Sequence, residues 1–459
     1  MRVPGIIYAS EEILPAIRSD ESLQQVANVA QLPGIVKNSL AMPDIHSGYG
    51  FPIGGVAAFD LEGGVISPGG VGYDINCGCR LLATDLKRGD LKDRIEELVL
   101  ALYQHVPTGV GSKGPLKLSA SDEKKLLAEG AQWAVNKGFG ISDHLIHTES
   151  HGRIEDADPD VISDRALKRG QQQLGTLGSG NHFLEVGLVE EVYDEETARM
   201  LGLERDQVTV LIHSGSRGLG HQVCSDFLVR LQEEAQKKKI ALPDRQLVYA
   251  ELGTATARDY QAAMACAANY AWANRQLLMY WTIEVFEQAL GLSPREHGMR
   301  LVYDVCHNIA KIEEHAIDGK KRKVCVHRKG ATRALPPGHP DLPPVFKKTG
   351  QPVLIPGDMG TASYVLVGAP GAMEHTFGST CHGAGRLLSR AAAKKTAKGR
   401  AIVRELEDRG IFVRSAGRAT LLEEIPEAYK DVDQVVDVVH NAGISRKVAR
   451  LRPWGVIKG

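Results

Sequence analysis

Aromatic residues make up only 5% of this 459-residue chain. A protein that holds nucleic acid mainly by stacking bases has little to work with here. Charge of one sign is also missing, since 55 Lys and Arg face 56 Asp and Glu for a formal net charge of −1. Any contact with a polyanion therefore depends on local positive groups. Together these shortages count against a non-catalytic RNA-binding protein. No apolar run reaches the roughly 20 residues of a membrane span, so no membrane partner is expected. The seven cysteines are odd in number and lack framework spacing. That excludes a disulfide scaffold and predicts a reduced intracellular compartment, the cytoplasm. The opening MRVPGIIYASEEILP has no basic stretch followed by an apolar one, so no secretion signal is expected. The chain has no Lys-x-Asp-Gly or Lys-x-Asn-Gly, which excludes a lysine nucleotidyltransferase of the usual kind. It has no Walker A lysine either. Gly109 to Gly114 only resembles a phosphate loop and reads as surface. No linker, low-complexity segment or repeat interrupts the chain, which predicts one globular domain over residues 1–459.

Glycine, by contrast, is abundant, with 49 residues gathered in short motifs. Glycine lets backbone bend and lets other groups approach closely. The densest motif is GVGYDINCGCR, Gly70 to Arg80, where an acid, Asp74, and a thiol, Cys77, are three positions apart on a kinked loop. Both can reach one metal ion, but two ligands are too few to hold it. Imidazoles are offered elsewhere in similar frames. His182 follows the glycine turn of LGTLGSGNH, His213 ends the apolar run Val208 to Ile212, and His307 follows the strand pattern Met299 to Val305. Any one of these histidines alone reads as structural. Asp74, Cys77, His182, His213 and His307 together suit two ions sharing the thiolate, the usual device for displacement at phosphorus. Ligand softness alone favours zinc over magnesium.

His382 stands apart, in GSTCHGAGRLL. The apolar positions Leu387, Leu388 and Ala391 predict a helix just after it. An imidazole at a helix N-terminus is disfavoured as the cation. A neutral imidazole is a nucleophile that accepts phosphoryl or nucleotidyl groups. Asp44 and His46, in PDIHSGYG, are further residues able to line a site. Other helices are expected from an Asp90 cap through Leu102, over Ser121 to Lys137, over His221 to Lys238, and over Ala255 to Leu290. The polar Asn269, Asn274, Arg275 and Gln276 in the last of these read as partners for buried backbone. The fold expected is α+β, with mixed and antiparallel sheets forming the core, strands delivering ligands from their ends, and helices packed outside.

The stretches GVGYDINCGCR, LGTLGSGNHFLE, HSGSRGLGHQ, YDVCHN, HRKGATRA, PGDMGTASYVLVG, GSTCHGAGR and VIKG resemble, in order, the RtcB family of tRNA-splicing RNA ligases. The resemblance implies an RtcB-like fold and a GTP-dependent ligase with two manganese ions. Such an enzyme joins RNA ending in a 2′,3′-cyclic phosphate or 3′-phosphate to RNA with a 5′-hydroxyl, in tRNA splicing or RNA repair. It implies a histidine–GMP intermediate on His382 and an RNA-3′-pp-G activated end. It assigns Asp74, Cys77 and His182 to one ion, and Cys77, His213 and His307 to the other. Around GTP it places Asn181, His182, Phe183, Leu184, Glu185, His307, Asn308, Pro356, Gly357, Asp358, Met359, Ser363, His382, Gly383, Ala384, Gly385 and Lys458. It offers Arg217, Lys329 and Arg390 to RNA phosphate. It suggests a monomer with archease as an activating partner. One departure stands out: many relatives have Ser where this chain has Asp358. The metal set alone also fits a phosphoesterase that only trims cyclic ends, but that reading leaves His382 without work.

Overall fold

The computed structural model describes residues 1–459. The run Val208 to Ile212 becomes the strand Gln207–Ser214, buried along its whole length. A strand buried on both faces reads as continuous apolar sequence. Val208, Val210 and Ile212 pack on one side, with Leu82, Leu184 and Val186. Leu211 packs on the other, with Leu81 and Phe183.

This strand lies inside an eight-stranded sheet. Its path runs Pro352–Ile355, Ser363–Gly368, Ser445–Lys458, Phe183–Val192, Gln207–Ser214, Gly78–Lys87 and Arg300–Cys306, all antiparallel. Phe412–Ser415 adds a parallel pairing on Ser445–Lys458. Register does the positioning. Phe183 and Cys79 both pair with His213, while Gly78 pairs with Ser214 and Cys306. The starts of two strands and the ends of two others thus meet at one rim.

A second sheet of five strands contains Gly5–Ile7, Ile35–His46, Ile53–Asp60, Lys320–Lys329 and Asn308–Ile317, in that order. His307 alone separates the last strand of the first sheet from the hairpin of the second. The mixed helices and largely antiparallel sheets are the α+β architecture expected.

The helix Ala255–Leu290 forms as its sequence predicts. Thr254 caps it by accepting from Ala257 N–H, and Gly291 ends it at φ 69°. Its buried polar residues are satisfied by backbone, as expected. Asn274 accepts from the N–H groups of Gly175 and Thr176. Arg275 donates to the carbonyls of Asn76 and Ser214 and pairs with Asp304 at 2.8 Å. This one helix therefore fixes three of the loops that carry the site.

Three expected helices differ in extent. Ser121 to Lys137 is broken into Ala120–Glu129 and Ala131–Asn136 because Gly130 takes φ 62°. Asp90 sits inside the single turn Arg88–Leu91, and the longer helix begins only at Ile95. The helix expected from His221 starts earlier, at Arg217. All seven cysteines are buried and free. No helix is long and apolar enough to cross a membrane.

Candidate active site

Four adjacent strands deliver four side chains to one point. The Cys77 Sγ lies 3.4 Å from Nε2 of His182 and 3.3 Å from Nε2 of His213. The Nε2 atoms of His213 and His307 are 3.4 Å apart, and Nε2 of His182 is 2.8 Å from Asp74 Oδ2. These atoms form two sets, Cys77–His213–His307 and Asp74–Cys77–His182, with the thiol in common. Asn76, between Asp74 and Cys77, takes φ 54°, the left-handed turn that brings both side chains to the same side.

The residues fit metal ions. A tetrahedral ion with bonds of about 2.1 Å to nitrogen and about 2.3 Å to sulfur holds its ligand atoms about 3.4–3.6 Å apart. The His213–His307 separation of 3.4 Å matches, and the Cys77–His213 separation of 3.3 Å is close to it. Burial, and then neighbouring imidazoles and cations, keeps His213 and His307 neutral, well below the ordinary imidazole range. Burial and the Asp74 charge push the Cys77 thiol up. A bound cation reverses that, since a coordinating thiol is deprotonated outright. At the other set, Arg217 donates to Nδ1 of His182 at 3.0 Å. The network therefore puts the imidazole proton on Nε2, facing Asp74. An ion taking Nε2 displaces that proton. Arg217 itself sits at φ 53°, a strained backbone held where its guanidinium is needed.

His382 lies beside this cluster, its ring 4.9 Å from that of His307. The helix expected directly after it is absent. The N–H groups of Leu387 and Leu388 are drawn to the Ala428 carbonyl, and Gly385 turns at φ 76° against the Asp44 backbone. The helix forms only at Arg390–Thr396, capped by Ser389. A carboxylate, not a helix N-terminus, faces the ring, and it acts by fixing the Nδ1 proton. Asp44 Oδ2 accepts from His382 N–H at 2.8 Å, from Nδ1–H at 2.5 Å and from Gly383 N–H at 3.3 Å. With the Nδ1 proton committed, Nε2 keeps its lone pair. Asp44 is fully buried; burial raises its carboxyl, but His382 and Lys430 outweigh that and hold it below its ordinary value.

These groups open onto a cavity of about 740 Å³. Asp74, Cys77, His213, Asn181, Phe183, Glu185, His307, Asn308, Pro356 to Met359, His382 to Gly385, Lys329, Arg390 and Lys458 line it. Leu184 does not; it points to the opposite face of its strand, among Val186 and Ile212. Ser363 stands behind the wall, where its Oγ accepts from Gly357 N–H. Glu185 is 2% exposed with Oε1 unpartnered, and burial, then Asp358, raises its carboxyl to about 8. Such a group suits the polar edge of a ligand.

The family profile described as "tRNA-splicing ligase RtcB" matches residues 25–459. A protein named tRNA-splicing ligase RtcB from Thermococcus kodakarensis is 56% identical over 100% of this chain and 95% of its own length. Proteins of the same name from Archaeoglobus fulgidus and Nanoarchaeum equitans are 56% and 54% identical, each over 100% of this chain, with 95% and 96% of their own lengths covered. The chain belongs to the RtcB family. It is therefore an enzyme of the RNA ligase class.

Within this RtcB chain Asp358 has a local explanation. Its carboxylate accepts from Gly360 N–H at 2.7 Å and from Thr361 Oγ1 at 2.8 Å, closing its own turn. The three residues suggested for RNA phosphate differ. Arg390 keeps an exposed side chain near Glu423. Arg217 is engaged with His182. Lys329 is buried and donates to the carbonyls of Tyr49 and Phe51 at 2.7 and 2.9 Å. Its ammonium is an internal tie rather than a free cation. Asp44, Glu424 and Tyr429 line or support the site and carry no motif of the ligand type. The one signal for Asp44 is its place in the glycine-rich PDIHSGYG.

Proposed function

We propose that this chain, working as one ligase domain over residues 1–459, joins RNA 3′-phosphate or 2′,3′-cyclic phosphate ends to 5′-hydroxyl ends with GTP. The observation that carries the proposal is the clasp of Asp44 on Nδ1 of His382, which commits that nitrogen's proton and leaves Nε2 as the nitrogen able to attack.

His382 Nε2 attacks the α-phosphorus of GTP; the N–P bond forms and pyrophosphate leaves. An oxygen of the RNA 3′-phosphate then attacks that phosphorus, the N–P bond breaks, and RNA-3′-pp-G results. The 5′-hydroxyl attacks the terminal RNA phosphorus, loses its proton, and GMP leaves. A cyclic end is first opened by water. Asp44 holds the imidazole in the required tautomer throughout. Glu185 and Lys458 face the nucleotide. Asp74, Cys77 and His182 would hold one divalent ion, and Cys77, His213 and His307 the other, with manganese the ion suggested by the family. When bound, such ions polarise phosphoryl oxygens and offset charge at phosphorus. The natural partners are cleaved tRNA or other broken RNA, with archease as activator, in the cytoplasm.

The test is incubation with manganese and α-labelled GTP. Acid-labile, alkali-stable label on the chain, absent in His382→Ala, supports the reading. Absence of label with every divalent metal, with and without archease, overturns it.

A further inference from the structure

Aromatic side chains are scarce in this chain, yet three rings stand in a row beside the cavity, two of them lining it. Tyr49 meets Tyr73 edge to face, with centroids 5.7 Å apart. Tyr73 stacks on the imidazole of His221, with centroids 4.8 Å apart and planes 29° from parallel. Tyr49 and Tyr73 line the cavity and are half-buried, while His221 is exposed. The rings come from separate segments: the loop after Ile35–His46, the Asp74 loop, and the start of the helix Arg217–Lys237. The reaction described above uses none of them.

We propose that Tyr49, Tyr73 and His221 form a stacking platform for an unpaired nucleobase at one of the RNA ends being joined. The inference rests on the ligase reading and names how that site holds its RNA. Three observations carry it. Tyr73 directly precedes Asp74, so a base on the platform keeps its own phosphate within reach of the ligand cluster. His221 lies one helical turn beyond Arg217, whose guanidinium faces the same cluster. Arg169 packs beside Gly218 and donates to Gln222, which sets a further cation along the same helix start. A ring face binds any base, because every base has a π-face, and this suits an enzyme that must accept ends of different sequence.

The experiment uses 3′-phosphate and 5′-hydroxyl RNAs carrying 2-aminopurine at the first or second nucleotide from the end, titrated with the full chain and manganese, without GTP. Wild type is expected to quench the probe at one of these positions. Tyr73→Leu and His221→Ala are each expected to weaken that binding by about tenfold, with Tyr73→Phe restoring it. An abasic nucleotide at the quenched position is expected to cost wild type a similar factor, and the variants little more. Equal affinity of wild type and both variants overturns the platform. So does an abasic penalty that the variants retain in full. Melting temperature and metal content show that each variant is folded. Guanylylation of wild-type His382 tests the ligase reading by itself, so failure of one is distinct from failure of the other.

Discussion

Asp44 Oδ2 lies 2.5 Å from Nδ1 of His382, although the two are 338 positions apart in the chain. The pair sets which nitrogen is free to react. Asp44→Asn keeps the shape but offers an amide that can donate to Nδ1 and leave the proton on Nε2. The expected result is a loss of guanylylation by about 10³- to 10⁴-fold with the fold retained, as with the wrong tautomer in other imidazole-dependent enzymes. Label incorporation from GTP measures it.

The thiol of Cys77 faces both ligand sets. Cys77→Ala is expected to lose both ions together, whereas His307→Ala disturbs only the set shared with His213. Metal analysis after dialysis separates the cases. Two ions retained per chain in Cys77→Ala contradicts the shared thiolate.

Arg390 and Lys329 are both basic residues of the cavity, but they differ in freedom. The Arg390 side chain is 57% exposed. Arg390→Met is expected to reduce the salt slope of single-stranded RNA binding by about 0.7. Lys329→Met is expected to leave the slope unchanged and to lower the melting temperature instead. It strips the buried Phe51 carbonyl and the half-buried Tyr49 carbonyl of their donor, a loss of about 1–3 kcal/mol for the buried group. A salt titration of both variants decides between the two roles.

Glu149 is buried and pairs with Lys311 at 2.6 Å and Arg333 at 3.3 Å. Burial raises its carboxyl, but those cations outweigh it and bring it to about 2. The unfolded chain thus binds more protons than the folded one between its ordinary value and about pH 2. The stability Glu149 supplies is complete above roughly pH 4.5 and is lost as pH falls through that window, about 3 kcal/mol in all. Glu149→Gln is expected to be less stable at neutral pH and to flatten the acid limb. Denaturant unfolding from pH 2.5 to 7 tests it. Because Glu149 accepts from Cys306 N–H at 3.0 Å, acid also loosens the residue before His307.

That Asp74, Cys77, His182, His213 and His307 come together was legible because each carries its signal locally, a glycine turn or the end of an apolar run. Asp74 and Cys77 share one loop, and the three histidines end or begin strands. The partner of His382 was not legible. Nothing near Asp44 in sequence marks a pairing that depends on two sheets meeting. The helix expected after His382 failed for the same reason. Leu387, Leu388 and Ala391 have helical spacing, but their region is pinned from outside by Ala428 and by the close approach of Gly385 to Asp44. Periodicity reports which face is apolar; it does not report a competing acceptor from another segment. The polar stripe of Ala255–Leu290 was read correctly as buried backbone satisfaction. Which loops it satisfies required the fold.

Lys458 reaches the cavity from Ser445–Lys458, a strand with neighbours on both sides in the large sheet. Of the strands in this sheet it is the latest in sequence, so it is synthesised after all its neighbours. Until then Phe183–Val192 and Ser363–Gly368 lack the strand that lies between them. A nascent chain therefore carries the candidate ligand set and His382 while the cavity still lacks a wall. The order of synthesis withholds the finished cavity until this strand has followed its partners.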